Sequence, residues 1–292
     1  MHGILNINKP AGKTSRDVVN IIQRLVRPAK TGHAGTLDPL ATGVLVCPVG
    51  HGTKLIEYVQ RMPKTYEACF LLGRQSDTED IEGNVQLLDD SPQPSRDQVE
   101  AILPNYMGTI DQVPPAFSAL KVAGKRAYDL ARQGKKVELA SREIEVYAIE
   151  ITAYAYPELR MRIECGSGTY VRSLGRDIAR DLGTEAVMSE LVRTAIGPFQ
   201  IADAIEPDDQ LSRGTLNAAL QPTSLAVAQL PQVTIDQEQI VRLSQGKRID
   251  VAPADATSEV AAMTTTGELV AVLIPGSEGG WRTFRNFAND YL

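Results

Sequence analysis

The sequence predicts a mixed α+β protein with a large domain at residues 1–225 and a small β-rich domain at residues 226–292. Segments with alternating apolar and polar residues, typical of strands, are interspersed with segments whose apolar residues repeat at helical spacing. This pattern loosens around residues 216–233, and the chain beyond alternates short apolar runs with Gly, Pro and Asp. A chain of 292 residues is long enough to bury a large core and still supply a small domain.

The first elements are expected to be a strand, a helix and a glycine-rich loop. Residues 4–10 alternate apolar and polar side chains up to a proline, which predicts a strand and a turn. A helix follows, because Thr14 or Ser15 can cap its start. Its apolar stripe consists of Val18, Ile21, Ile22, Leu25 and Val26. The glycines and proline of residues 31–43 predict a loop that leads into a buried strand at residues 44–50.

Later segments are expected to form further strands and helices of the same sheet. The predicted strands are residues 66–73, 144–156 and 159–166, and the predicted helices are residues 97–108, 125–134 and 169–183. In the last helix the apolar face consists of Val171, Leu174, Ile178 and Leu182, and Gly183 provides the stop signal.

Two segments carry clusters of charged residues, the helix predicted at residues 169–183 and the acidic run at residues 77–84. The opposite face of the last helix carries Arg172, Arg176 and Arg180, and taken alone Arg172 is interpreted as a surface arginine. The acidic run at residues 77–84 lacks the spacing and the distal glutamate of a calcium-binding loop. We interpret this run as a solvated turn.

The net charge of −6 is unevenly distributed along the chain. Residues 1–75 contain 10 Lys and Arg against 4 Asp and Glu, and residues 113–142 contain 7 against 2. Residues 76–112, between these basic segments, contain 1 against 9. Because basic side chains supply affinity for phosphates, this distribution permits a nucleic-acid partner, although an uneven solvated surface explains it equally well.

Several classes of protein are excluded. No run of 18 apolar residues is present, and the first ten residues do not resemble a signal peptide, so we expect a cytoplasmic protein without a membrane span. Cys47, Cys69 and Cys165 are too far apart for a metal-binding pair and are expected to be core residues. The three histidines form no metal-binding pattern, so no metal is expected. Gly166 and Gly168 match the first two glycines of a dinucleotide-binding fingerprint. Val171 occupies the position of the third glycine, which argues against a nucleotide cofactor.

Asp38 is a carboxylate in an unusual backbone setting. Pro39 disfavours a helical conformation at Asp38, and glycines at positions 32, 35 and 43 allow the backbone to fold closely around it. Such a setting can direct a carboxylate into a cleft. On spacing alone, an aspartate that caps a turn is the simpler interpretation.

The stretch GHAGTLDPLATGVL, residues 32–45, resembles the signature of the TruB family of tRNA pseudouridine synthases, which modify uridine 55 in the T-arm. Similar motifs follow the family's order across residues 4–178: ILNINKPAGKTS, KTYEACFLLG with SDTED, VPPAFSALKVAGKRAYDLARQG and CGSGTYVRSLGRDI. The resemblance implies a catalytic fold with a central mixed or antiparallel sheet flanked by helices. It also implies that residues 226–292 form a divergent, PUA-like domain.

The resemblance implies an isomerisation that needs no cofactor. The bond between uracil N1 and ribose C1′ is broken, the base is turned over, and it is rejoined through C5. Asp38 is the implied catalytic carboxylate, which either attacks C1′ as a nucleophile or removes the C2′ proton. Tyr66 corresponds to the tyrosine that stacks on the flipped base, and Arg172 to the arginine that pairs with the catalytic aspartate.

The resemblance also implies substrate-binding residues. These are His33, Lys64, Tyr170 and Leu191, of which Tyr170 and Leu191 would pass as core residues on spacing alone. A basic insertion at about residues 118–142 is expected to clamp the RNA. Its implied phosphate contacts are Lys121, Lys125, Arg126, Arg132, Lys135 and Lys136.

The expected partner is the T-arm stem-loop of tRNA, recognised mainly by shape. We expect a monomer. We also expect no guide RNA, because the first predicted strand begins by residue 4 and leaves no extension for assembly into a multiprotein particle. Residues 201–292 contain 6 Lys and Arg against 12 Asp and Glu, which disfavours RNA binding by this region. An alternative function is that of a tRNA-folding chaperone, in which binding and opening the RNA matter more than catalysis.

Overall fold

The computed structural model describes residues 1–117, 121–122, 125–126, 139–252, 258–277 and 279–292, with the backbone alone at 121–122 and 125–126. The chain divides into two compact units. The first unit comprises residues 1–38, 44–62 and 197–292, and the second comprises residues 39–43 and 63–196.

Helices and strands are interspersed along the chain. The helices are α1 (Ser15–Val26), α2 (Ile56–Arg61), α3 (Arg96–Ile102), α4 (Val171–Asp181), α5 (Arg213–Ala218) and α6 (Gln237–Ser244). The strands are β1 (Gly3–Lys9), β2 (Thr42–Val49), β3 (Lys64–Leu72), β4 (Arg74–Gln75), β5 (Gln86–Leu87), β6 (Gly108–Gln112), β7 (Lys121–Val122), β8 (Lys125–Arg126), β9 (Arg142–Ala155), β10 (Glu158–Cys165), β11 (Ala186–Ile196), β12 (Phe199–Gln200), β13 (Gln232–Thr234), β14 (Val260–Met263), β15 (Leu269–Pro275) and β16 (Trp281–Asn286).

Helix α1 begins with a reciprocal cap, and Thr14 is one of the two capping residues that the sequence predicts. The Thr14 hydroxyl accepts a hydrogen bond from the Asp17 N–H at 3.1 Å, and the Asp17 carboxylate accepts one from the Thr14 N–H at 2.9 Å. Val18, Ile22 and Val26 are fully buried in a core shared with β1 and β2. The predicted helix and its capping residue are therefore confirmed.

The second unit contains an antiparallel sheet with the strand order β11-β3-β10-β9-β6. The start of β2, at Thr42 and Gly43, pairs with β11 in a parallel direction, so the sheet is mixed. Helix α4 packs against β3 closely enough that a Cβ atom on Gly175 would lie 2.0 Å from the Phe70 ring. The expected class, a mixed sheet with flanking helices, is confirmed.

Two predicted helices differ from the structure. The segment 97–108 forms a helix only to Ile102 and continues as a 3-10 turn, because Pro104 cannot donate the next helical hydrogen bond. Within the segment 125–134, Lys125 and Arg126 pair with Lys121 and Val122 as strands, so the helix is wrong at its start. The remainder of that segment lies outside the described residues.

The C-terminal part of the first unit contains the sheet β13-β14-β15-β16, with helix α6 packed against it. Polar side chains connect it to the 3-10 turn at 50–55 and to α2. His51 contacts Asp290 at 2.7 Å, and Arg61 contacts Glu259 at 2.6 Å. Because residues 197–292 belong to one unit with N-terminal segments, the boundary at residue 225 stays a prediction. None of the helices in the described ranges is both long and apolar enough to cross a membrane.

Candidate active site

Asp38 lies in the loop between α1 and β2, and the backbone just before it is fixed by a buried serine. The Leu37 N–H donates a hydrogen bond to Ser15 Oγ at 2.9 Å, and the same Oγ donates to the Leu37 carbonyl at 3.1 Å. Ser15 and Leu37 are 2% and 4% exposed. Ser15, at the start of α1, therefore holds the backbone that immediately precedes Asp38. Asp38 itself is partly exposed.

The same loop carries His33, which is also partly exposed. Hydrogen bonds to β2 hold its neighbours in place, from the Gly32 N–H to the Pro48 carbonyl at 3.3 Å and from the Ala34 N–H to the Val46 carbonyl at 2.9 Å. The two predicted site residues of this loop, His33 and Asp38, thus lie on backbone that is attached both to α1 and to β2.

Tyr66, Lys64 and Leu191 lie on one face of the sheet in the second unit. Tyr66 lies opposite Arg193 on β11, and Leu191 lies opposite Ala68 on β3, so the alternation of side chains places all of these on the same face. Tyr66 is 8% exposed. The structure therefore places on one sheet face Tyr66, which is predicted to stack on the target base, and Lys64 and Leu191, which are predicted to bind the substrate.

Two cations are buried on this face. Lys64 lies opposite Cys165 on β10, and burial together with the charge of Arg193 lowers the pKa of Lys64 to about 8. Burial likewise raises the pKa of the Cys165 thiol to about 11. Arg193 is buried beside Tyr66 in the strand register. Buried positive charge makes this face attractive to an anionic group.

Gly43 allows the close parallel pairing of β2 with β11. Its φ is +97°, and a Cβ atom there would lie 2.2 Å from the Arg193 carbonyl oxygen. No other residue type fits this approach. At position 43 the glycine therefore serves the strand pairing with β11, and the close folding of the backbone around Asp38 stays a prediction.

Arg172, the second residue of α4, is 6% exposed and held by several groups. Its Nη1 atom lies 3.3 Å from Asp80 Oδ2 and donates to the Thr78 carbonyl at 2.6 Å. Its Nη2 atom donates to the Phe117 carbonyl at 3.0 Å. The interpretation of Arg172 as a surface residue is wrong, and its guanidinium has a fixed orientation.

The interpretation of the acidic run at residues 77–84 as a solvated turn is wrong at two positions. Asp80 is buried beside Arg172, and Glu79 forms an ion pair with the buried Arg176. The Ser173 hydroxyl also donates to Glu79 Oε2 at 2.8 Å. Part of the acidic run therefore packs against the helix whose arginines appeared to face solvent.

Tyr170 immediately precedes α4 and is held by Gln112 of β6. The Tyr170 N–H donates to Gln112 Oε1 at 2.9 Å, and Gln112 Nε2 donates to the Tyr170 carbonyl at 3.0 Å. The Arg142 guanidinium lies 5.0 Å from the centre of the Tyr170 ring, in a cation–π contact. The ring is partly exposed, unlike that of an ordinary core residue.

The predicted phosphate contacts lie in a region that the structure describes only in part. Lys121, Lys125 and Arg126 have described backbone, in the pair β7 and β8, and nothing further is described of their side chains. The contacts predicted at positions 132, 135 and 136 lie outside the described residues. Their roles stay predictions.

The sequence analysis missed three residues near the predicted site: Asp80, Glu79 and Arg193. Asp80 and Glu79 belong to the SDTED stretch, whose position after KTYEACFLLG was a usable signal. The sequence contains no comparable signal for Arg193, because its place beside Tyr66 depends on the pairing of two strands in which these residues are 127 positions apart. In the described residues, no group of three or more His, Cys, Asp or Glu side chains could hold a metal ion.

Comparisons with known proteins agree with this architecture. The profile of the TruB family pseudouridylate synthase N-terminal domain matches residues 23–171. A tRNA pseudouridine synthase B from Dehalococcoides mccartyi is 40% identical over 290 residues, which cover 98% of this chain and 97% of that protein. A protein of the same name from Rhizobium johnstonii is also 40% identical, with coverage of 98% and 96%.

Two solved structures share the fold. A chain of a Cbf5-Nop10-Gar1 complex is 28% identical with a TM-score of 0.70, over 94% of this chain and 78% of that one. A chain of an H/ACA RNP bound to a substrate RNA containing 2′-deoxyuridine is 25% identical with a TM-score of 0.74, over 98% and 84%.

The fold and these matches define the chain as a pseudouridine synthase, an isomerase. Within this class, the chain belongs to the TruB family. The resemblance that the sequence motifs indicated is thereby confirmed.

Proposed function

We propose that this chain isomerises uridine to pseudouridine at position 55 in the T-arm loop of tRNA. The observation that carries the proposal is the 40% identity, over nearly the whole chain, to proteins named tRNA pseudouridine synthase B. The GHAGTLDPLATGVL stretch of residues 32–45 supports the particular position, because it resembles the signature of enzymes that modify the T-arm uridine.

Asp38 is the proposed catalytic carboxylate. The contacts of Leu37 with Ser15 support this role, because a catalytic group must be held in place by rigid neighbours. Arg172, whose guanidinium is fixed by Asp80 and two carbonyls, keeps the catalytic carboxylate ionised and oriented.

The remaining proposed site residues bind the extruded nucleotide. Tyr66 stacks on the base, and Lys64 and Leu191 contact the nucleotide from the same sheet face. Tyr170 and His33 complete the set. The buried positive charge of this face suits a uracil that carries negative charge once its glycosidic bond is broken.

Recognition of the tRNA is proposed to rest on shape and phosphate contacts. The basic insertion at about residues 118–142 clamps the T-arm stem-loop, and the enzyme acts in the cytoplasm as a monomer without guide RNA or cofactor. Residues 226–292 form the PUA-like domain of this proposal.

The proposal is tested by mapping pseudouridine in an unmodified tRNA transcript incubated with purified protein, using carbodiimide labelling and primer extension. We expect one modified position, the T-arm uridine, and none in a transcript whose uridine 55 is replaced by cytidine. Asp38→Asn should abolish the product, and Asp209→Asn, at an exposed position, should not. Modification at another uridine, or full activity of Asp38→Asn, contradicts the proposal.

Complementation of a deletion strain separates the enzyme from the chaperone alternative. If RNA opening is the main contribution, Asp38→Asn should restore the fitness of a deletion strain as well as the wild type does.

The two chemical routes for Asp38 are separated by deuterium at C2′ of the target uridine. Removal of the C2′ proton predicts a primary isotope effect on the single-turnover rate, and attack on C1′ predicts none.

A further inference from the structure

The arginines of α4 bind the segment 78–80 in two consecutive layers. Arg172 and Arg176 are four residues apart, so their side chains lie one above the other on the same helix face. The first layer is the contact of Arg172 with Asp80 and with the Thr78 carbonyl.

The second layer lies one turn further along the helix. Arg176 forms an ion pair with Glu79, and its Nη2 atom donates to the Val113 carbonyl at 2.9 Å. Ser173 donates to the other carboxylate oxygen of Glu79. Both oxygens of Glu79 are therefore held by α4, although Glu79 is adjacent in sequence to residues that hold Arg172.

The backbone of Glu79 is also constrained. Its φ is +64°, a left-handed conformation that a non-glycine residue adopts only when its surroundings impose it. The Met188 N–H donates to the Glu79 carbonyl at 3.0 Å, and the Ile81 N–H donates to the Met188 carbonyl at 3.1 Å. Because Glu79 lies between Thr78 and Asp80, its conformation sets the direction in which both of these groups face Arg172.

We propose that Glu79 and Arg176 are positioning residues, which act on catalysis by fixing Asp80 and Thr78 against the Arg172 guanidinium. This inference rests on the proposed role of Arg172 at the catalytic carboxylate. Without the second layer, the segment 78–80 loses the side-chain contacts that help to hold Glu79 in its left-handed turn, and the geometry of the guanidinium partners is no longer fixed.

The test is the single-turnover rate of pseudouridine formation with enzyme in excess over tRNA, beside the Kd for tRNA and the melting temperature of each variant. Glu79→Gln removes one of the two carboxylates that pair with Arg176, leaves the other on Asp177, and keeps the size of the side chain. We expect the rate constant to fall about tenfold, because small displacements of catalytic groups cost one to two orders of magnitude, while the Kd stays unchanged. Ser173→Ala keeps every charge, and its rate constant should also fall, but by less than that of Glu79→Gln.

The matched control is Glu185→Gln, which lies just beyond the end of α4 and pairs with Arg180 of that helix. Glu185 pairs with Arg180 at 2.9 Å, but this pair is far more exposed and does not touch the segment 78–80. The control variant should keep the wild-type rate.

Coupling to Arg172 distinguishes positioning from general stabilisation. Arg172→Lys should itself be slow, and adding Glu79→Gln to it should cost less than a further twofold, because the two changes disrupt one arrangement. Rate losses that multiply, or a Glu79→Gln protein that melts earlier but reacts at the wild-type rate, overturn the inference. If Arg172→Lys reacts as fast as wild type, the proposed role of Arg172 is wrong and the inference fails with it. A wild-type protein that forms no pseudouridine in tRNA contradicts the proposed function first.

Discussion

Ser15→Ala is expected to loosen the backbone that carries Asp38. Ser15 Oγ satisfies both the N–H and the carbonyl of Leu37, and both residues are almost fully buried. Each buried backbone group left without its partner costs about 1–3 kcal/mol, so the free energy of unfolding should fall by about 2–4 kcal/mol after relaxation.

Ser15→Ala should also loosen the backbone locally, in addition to lowering the free energy of unfolding. The Leu37 amide hydrogen, protected by Ser15 Oγ, should exchange faster with solvent in Ser15→Ala, as measured by hydrogen exchange of peptides that cover residues 34–41. The single-turnover rate should fall at least tenfold at a temperature where the variant is fully folded, because Asp38 follows directly.

Thr14→Ala is the matched control, since it removes the adjacent helix cap. It should cost about 1 kcal/mol and leave the Leu37 contacts intact, so its rate should stay close to wild type. Equal rate losses in the two variants, or an unchanged exchange rate at Leu37 in Ser15→Ala, would refute the link between Ser15 and Asp38.

Two further predictions concern the second unit. Gly43→Ala should prevent the pairing with β11, because its Cβ would lie 2.2 Å from the Arg193 carbonyl oxygen, and soluble yield and melting temperature should both drop sharply. Gly246→Ala, whose left-handed glycine has open space around it, should cost only about 1–2 kcal/mol, and similar losses in both variants would contradict the steric argument. The pKa of Lys64 is lowered to about 8, chiefly by burial, whereas in the unfolded chain it lies near 10.4, so the unfolded state binds more protons between these values. The free energy of unfolding of wild type relative to Lys64→Met should therefore rise as pH increases from about 8 to about 10.4, and parallel pH profiles from urea titrations would show that burial does not perturb Lys64.

Local sequence determined the start of α1 and the end of α4. The Thr14 and Asp17 cap specifies the start of α1, and the apolar spacing of α4 with Gly183 at φ +76° specifies its end. These features depend on residues within one or two turns of each other, so periodicity and capping predict them well. The motif around Asp38 likewise indicated the family, because an ordered set of strings is specific even where each residue alone is ambiguous.

Only the tertiary structure decided that the arginine face of α4 is buried as well as its apolar face, and what covers the arginines. The sequence of α4 places its arginines opposite an apolar stripe, which predicts exposure, yet Arg172 and Arg176 are covered by a segment 94 and 97 residues away. Helical periodicity says which side chains share a face, but burial of a charged face depends on whether a distant segment supplies opposite charges and carbonyls. Thus the sequence alone determined the family and the local elements around Asp38, whereas the two-layer ion-pair arrangement and the pairing of Tyr66 with Arg193 depended on long-range contacts that no local pattern encodes.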